Sequence, residues 1–331
     1  MTQIGWILGR RLAVWSSPIL VVAALAMIGG CDPKPSTTAA LDWAYPRAPD
    51  APLPQAPPGV YRVPGSRLSF SADALNNGTP DWFPDEHPPA PPIVARGRNP
   101  GPEACAACHN YNGAGFIGIP DLAGLPAAYI VEQIHEFRAG RRKSTEPDRP
   151  ATQRMASIAH QISEPDLAAA AAYYAALPRP SWYHVVETQT VPATRPDHYG
   201  WRDLAPRGGS EPLAGRIIEL PVDAHRMLWM SDPHVGVVVY APPGSVARGA
   251  ALARADDGGQ ACSYCHGPDL KGGGVAPPLA GRSAAYLARE LWDIKTGARG
   301  GFAVAQMRSP AGRLNADQVR DVAAYLSSLP P

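Results

Sequence analysis

The sequence predicts a mainly α protein: two tandem copies of one small helical unit, a Pro-rich segment ahead of them, and a β-hairpin-like insertion between them. Three observations carry this reading. A five-residue motif with two cysteines and a histidine occurs twice, 157 positions apart. The same offset aligns Pro120, Leu122, Ala123, Gly124, Ala127, Ala128 and Tyr129 with Pro277, Leu279, Ala280, Gly281, Ala284, Ala285 and Tyr286. The intervening segments have apolar residues at helical spacing and stop at glycine or proline. At 331 residues the chain is long enough for two or three domains. Charged residues are only 18%, while 39 prolines and 32 glycines imply long irregular stretches.

Residues 1–30 read as a secretory signal. Arg10 and Arg11 precede a twelve-residue apolar run, Ile19 to Gly30, too short to span a bilayer. The run ends Ile28-Gly29-Gly30-Cys31, which resembles the lipobox of bacterial lipoproteins. That resemblance implies cleavage before Cys31, lipid attachment to it, and retention at the inner membrane facing the periplasm. An ordinary cleaved signal or an uncleaved anchor helix are the alternatives. Without residues 1–30 the chain holds 28 Lys+Arg against 29 Asp+Glu, a net charge of −1. Such a balance argues against nucleic acid as a partner.

Residues 31–92 form the Pro-rich extension; 17 prolines fall within 32–102. Extended structure is expected between Pro33 and Pro64, serving as a tether. Alternatively, Trp82 and Phe83 pack on the first helical unit. Pro100 and Pro102 shorten any helix ahead of the first motif.

The motifs are Cys105-Ala106-Ala107-Cys108-His109 and Cys262-Ser263-Tyr264-Cys265-His266. C-x-x-C-H is the attachment site of c-type haem. Two thiols on one helical turn reach the two vinyl groups of a porphyrin, and the next residue presents an imidazole to the iron. A C-x-x-C can also be a redox disulfide or half a zinc site. Here a histidine follows both copies directly and the chain is exported, so two covalently bound haem c groups are expected.

The first unit spans 93–179 and the second 245–331. Helices are expected over Ala127–Phe137 and Ala284–Lys295, ending at Gly140 and Gly297. Final helices start at the N-caps Ser163 and Asn315 and stop before Pro178 and Pro330. Pro165 sits in a first helical turn, where proline is tolerated. Only the second unit keeps a full preceding helix, Val246 to about Ala255. Between the units, in 180–244, Arg216–Leu220 and Val235–Tyr240 read as two strands joined by 221–234.

Taken together, C-x-x-C-H, then P-x-L-A-G-x-x-A-A-Y, then a lone methionine, then A-A-Y resemble a tandem, dihaem class I cytochrome c. The resemblance covers about 90–180 and 245–331. It implies that Met155 and Met307 are the second iron ligands. Each is the only methionine between its motif and the end of its unit, and each lies eight residues before its helix cap. His160 is the substitute candidate in the first unit. Pro120 and Pro277 would accept a hydrogen bond from the proximal histidines through their carbonyls. The implied function is electron carriage between a membrane or periplasmic dehydrogenase and an acceptor such as a terminal oxidase, with no catalytic residue. The competing readings are a fixed cytochrome subunit of an oxidase or dehydrogenase, and a dihaem peroxidase, which needs one iron open to peroxide.

Overall fold

The computed structural model describes residues 41–51, 55–255 and 261–331. Residues 1–30, read above as a signal, and Cys31 lie outside the described residues. The extension contributes β1 (Val60–Tyr61), β2 (Phe70–Ser71) and α1 (Ala72–Asn77). The first unit follows with α2 (Pro92–Ala95), α3 (Ala106–His109), α4 (Ala127–Arg138), α5 (Pro150–Gln161) and α6 (Glu164–Ala175). The insertion holds β3 (Tyr183–Glu187), β4 (Thr190–Pro192), β5 (Thr194–Pro196), β6 (Arg202–Leu204), β7 (Ser210–Pro212), β8 (Ile218–Pro221), α7 (Ala224–Leu228) and β9 (Val237–Ala241). The second unit is α8 (Ser245–Arg254), α9 (Cys262–His266), α10 (Ala284–Thr296), a 3₁₀ turn at Ala305–Met307, α11 (Arg308–Arg313) and α12 (Ala316–Ser328).

Local chemistry sets the helix ends. The Ser163 hydroxyl accepts the Asp166 N–H at the start of α6. Asn315 and Gln318 form a reciprocal capping box on α12. The helix α10 stops at Gly297, where φ is +82°. Ahead of the two motifs the repeat diverges. The helix α8 lies across α12 so closely that a Cβ on Gly249 would meet the Asp321 carbonyl oxygen at 1.9 Å. Its counterpart Gly97 instead has φ of +66° and follows the four-residue α2. The first unit thus has only a remnant of the helix that the second keeps whole.

The insertion is more than a hairpin. Strands β8 and β9 pair antiparallel, Ile218 opposite Tyr240, as the two apolar runs imply. The strand β3 adds on the far edge of β9 in parallel, giving the order β3-β9-β8. Two further antiparallel pairs, β4–β7 and β5–β6, extend the segment. The sequence reading missed β3 because Tyr183–Glu187 carries His184 and Glu187 among its apolar residues. The central β9 serves both units. Val239 and Ala241 enter the core of the second, beside Ala253, Trp292 and Val322. Val237 joins Ala114 and Ile117 of the first.

The described part of the extension is packed and does not act as a free tether. Leu41, Trp43 and Tyr45 belong to the core of the second unit. Trp82 is buried against Met230 of the insertion, and its indole N–H donates to the Met230 carbonyl at 2.6 Å. Burying such a ring contributes about 1.5–3 kcal/mol, which offsets the few backbone hydrogen bonds a proline-rich segment forms. Phe83 stacks on His234, also of the insertion, at 3.9 Å.

The two units meet through buried charge. Arg142 and Arg299, equivalent positions in the repeat, face each other in a backbone bridge. Arg142 donates to Glu290 at 2.9 Å and to Tyr286 at 3.3 Å. Arg299 donates to Tyr129 at 3.0 Å, to Gln133 at 2.9 Å and to Glu290. Arg282 of the second unit pairs with Asp121 of the first at 2.7 Å, both buried.

Burial by itself would raise the Glu290 carboxyl. The two guanidiniums outweigh it and hold it down to about 2, against 4.5 in an unfolded chain. A depressed carboxyl stabilises the fold above its unfolded pKa and loses that contribution as pH falls. Glu290 should therefore stabilise the protein fully above about 4.5 and progressively less toward 2. Glu290→Gln should cost about 3–5 kcal/mol near neutral pH, since it strands two buried cations. Denaturant unfolding of both proteins across the acid range checks this. The gap between them should narrow as pH falls.

Candidate functional site

Each motif forms one short helical turn. In the first, the His109 N–H closes on the Cys105 carbonyl at 2.9 Å, which puts Cys105 and Cys108 on neighbouring positions of that turn. The chain then reverses at Asn110, with φ of +58°, where the Asn110 side chain donates to the Gly115 carbonyl at 2.8 Å. The loop returns so that the Pro120 carbonyl lies 2.9 Å from His109 Nδ1. The second motif repeats this, with Pro277 O 2.8 Å from His266 Nδ1.

These contacts decide what the imidazoles can do. A proline carbonyl only accepts, so Nδ1 carries the proton and Nε2 keeps its lone pair. Both rings are buried. Desolvation pushes the His109 pKa down to about 4 and lowers that of His266, so both rings stay neutral, the form that binds a metal ion. Burial also raises the Cys105 thiol to about 12 and lifts those of Cys108 and Cys262.

Met155 is half-buried on α5 and packs in the apolar cluster that holds Cys105, Ala106 and Leu167. Met307 ends the 3₁₀ turn and packs with Ile294, Val304 and Ala311. Leu291 links that cluster to the one containing Cys262. His160 shares α5 with Met155 but is exposed. In the second unit, Val275 and Phe302 are 89% and 92% exposed, on the loop before Pro277 and on the loop before Met307 respectively. Exposed apolar side chains on these two loops suit contact with a large apolar group. Two thiols per turn, a bare Nε2 and flanking apolar surface fit a covalently held porphyrin in each unit.

The two sites differ in their cover. Ala114 and Ile117, on the loop after His109, are buried under Trp182, Met227, Val235 and Val237 of the insertion. The corresponding loop of the second unit, around Val275, lacks that cover among the described residues.

Sequence reading missed several residues that hold this geometry. Tyr174 donates to the Asn110 carbonyl at 3.2 Å and is fully buried. Tyr173 donates to the Tyr111 carbonyl at 2.8 Å. The A-A-Y match in the repeat flagged Tyr173 as special but not its partner. Arg142 and Arg299 each stand two residues after a helix-ending glycine, at equivalent positions of the repeat; only the structure shows that they face each other.

A family model described as cytochrome c matches residues 94–177 and 246–330, leaving the insertion between. Among curated relatives, a thiosulfate dehydrogenase electron acceptor of Stutzerimonas stutzeri is 29% identical over 237 residues, covering 70% of this chain and 82% of that protein. Cytochrome c4 of Pseudomonas aeruginosa is 25% identical over 232 residues, covering 68% of this chain and 83% of that one. Among solved structures, thiosulfate dehydrogenase from Marichromatium purpuratum aligns at 31% identity with a TM-score of 0.47, covering 72% of this chain and 39% of that longer chain. Reduced cytochrome c4 from Pseudomonas stutzeri aligns at 22% identity with a TM-score of 0.44, covering 68% of this chain and 93% of that one.

The Tyr174 bond supports the turn that follows His109. Tyr174→Phe leaves the Asn110 carbonyl buried without that donor, and should cost about 1–3 kcal/mol. Denaturant unfolding monitored at the first unit should show the loss, while haem content per chain stays unchanged.

Proposed function

The chain belongs to the cytochrome c family, as a tandem protein with two covalently bound haem c groups, and from this we propose that it carries electrons between two redox proteins of the periplasm. Cys105 and Cys108 would attach one haem and Cys262 and Cys265 the other. His109 and His266 would bind the irons through Nε2, and Met155 and Met307 would be the second ligands. Each group, when bound, supplies a one-electron couple whose potential a His/Met ligand pair keeps high. The chain's own contribution is to hold ligands still, so that little rearranges when charge changes.

The observation that carries this reading is the matched His–Pro contact in both units. Two centres with the same proximal arrangement, each closed by a methionine as proposed, suit transfer and leave neither unit distinguished by its ligands as a reaction site. The donor we propose is a dehydrogenase and the acceptor a terminal oxidase or its carrier. The relatives named as electron acceptors of a thiosulfate dehydrogenase support the donor side. The lipobox-like segment and the long insertion suit a second reading, a fixed subunit of such a complex, which purification of a stable complex from membranes would separate from the first.

Two measurements test this. Met155→Ala and Met307→Ala should each open one haem to carbon monoxide while both haems stay covalently bound. A variant that remains closed to carbon monoxide would require another ligand, His160 first in the first unit. Native protein that binds carbon monoxide or turns over peroxide would bring the peroxidase reading forward. We also propose that Cys31 carries a lipid at the inner membrane. Cys31→Ser should then move the protein from the membrane to the soluble periplasmic fraction; unchanged firm attachment would point to an uncleaved helix or a permanent partner.

A further inference from the structure

Four parts of the chain meet at a buried site beside the first motif. Gly118, two residues before the proline that holds His109, presents its carbonyl oxygen to two guanidiniums. Arg149 of the first unit donates to it at 3.0 Å and Arg289 of the second at 3.3 Å. Arg289 also donates to the Ala44 carbonyl of the extension at 3.1 Å. The insertion closes the remaining side. A Cβ on Gly200 would lie 2.9 Å from the Arg149 guanidinium, and one on Gly118 would lie 3.3 Å from the Trp201 ring.

Both arginines are buried, at 6% and 5% exposure. Neither forms an ion pair among the described residues. One neutral carbonyl is a poor match for two desolvated cations. Burial and the facing Arg289 push the Arg149 pKa down to about 9. The wider junction is also short of anions. Arg142, Arg149, Arg289 and Arg299 stand against Glu290 and Asp293, and the Asp293 carboxylate already accepts from Tyr45 and the Thr145 N–H. Glu219, buried against Ser283, also acts electrostatically on Arg289, so with all three carboxyls ionised one positive charge is left over. An anionic group at this site would balance it, and a haem carries two propionates.

We infer that Arg149 and Arg289 receive a propionate carboxylate of the haem held at Cys105 and Cys108, so that the second unit supplies a partner to the first unit's haem. Guanidinium forks match carboxylates in shape as well as charge. The insertion, which the family match leaves out, then acts as the lid of that contact through Gly200 and Trp201. The inference rests on haem attachment at the first motif, which haem content per chain reports separately.

The test is Arg149→Gln and Arg289→Gln in the full haem-loaded protein, with Arg289→Lys as the conservative variant. The midpoint potential of each haem is followed against pH, and haem methyl proton resonances assign each potential to its unit. Removing a cation disfavours the reduced haem, and an unpaired buried carboxylate titrates at higher pH. Both Gln variants should lower the first haem's potential and move its pH dependence toward neutrality, leaving the second haem's potential in place. Arg289→Lys should retain most of the native value. In the infrared, the carboxylate band of propionate-labelled haem should shift in the Gln variants only. An unchanged potential and band with full haem content would overturn the inference. So would equal shifts of both haems, which mark a general disturbance. A native potential that responds to added inorganic phosphate would mean that the arginines take an anion from solution instead.

Discussion

Two histidines held with one ring nitrogen committed and the other bare set the constraint on which the rest of this structure depends. The commitment is a hydrogen bond to a proline carbonyl eleven residues further on, in both units. A carbonyl can reach back to Nδ1 only if the chain turns sharply after the motif, which is why Asn110 sits at positive φ and its side chain ties the loop to Gly115. The turn in turn needs a buried donor for the Asn110 carbonyl, and Tyr174 on the last helix of the unit provides it. A chain of local hydrogen bonds thus links the motif to the helix that closes the fold.

The same small unit, used twice, is not used symmetrically. The contact between the units keeps the memory of the repeat, since Arg142 faces Arg299, Tyr129 matches Tyr286 and Gln133 matches Glu290. A single carboxylate among these paired positions is shared by both arginines, which makes the junction both tight and sensitive to acid. Around this core the extension and insertion are unequal. The insertion roofs the loop after His109 and threads β9 between both cores. The corresponding loop of the second unit keeps its apolar residues near the surface. A small haem unit buries little surface by itself. Here the two units, a mixed sheet and a proline-rich strap share one packing arrangement, which compensates for that.

Much of this was legible in the chain. The motifs, the repeat, the helix caps at Ser163 and Asn315, and the stops at Gly140 and Gly297 are each local signals, set by chemistry within a few residues. The shortened helix before the first motif followed from Pro100 and Pro102. The strand β3 was not legible, because a strand with His184 and Glu187 is recognised only through its partner. Packing of Trp82 was legible as an alternative, but against the first unit rather than the insertion it meets, and the docking of Trp43 was not, since proline density suggests extension without saying what the aromatics between the prolines will find.

The family resemblance pointed to the proline carbonyls; the sequence by itself determined the two attachment turns, their histidines and the mainly helical units around them. These depend on spacing along one segment, and spacing is written in the chain. Only the tertiary structure decided which charges would meet. Arg142 and Glu290 are 148 positions apart, and Arg149 and Arg289 approach one carbonyl from different units. No periodicity encodes such meetings, because they follow from how two folded surfaces and an insertion close on one another, and burial rather than proximity in sequence sets their strength.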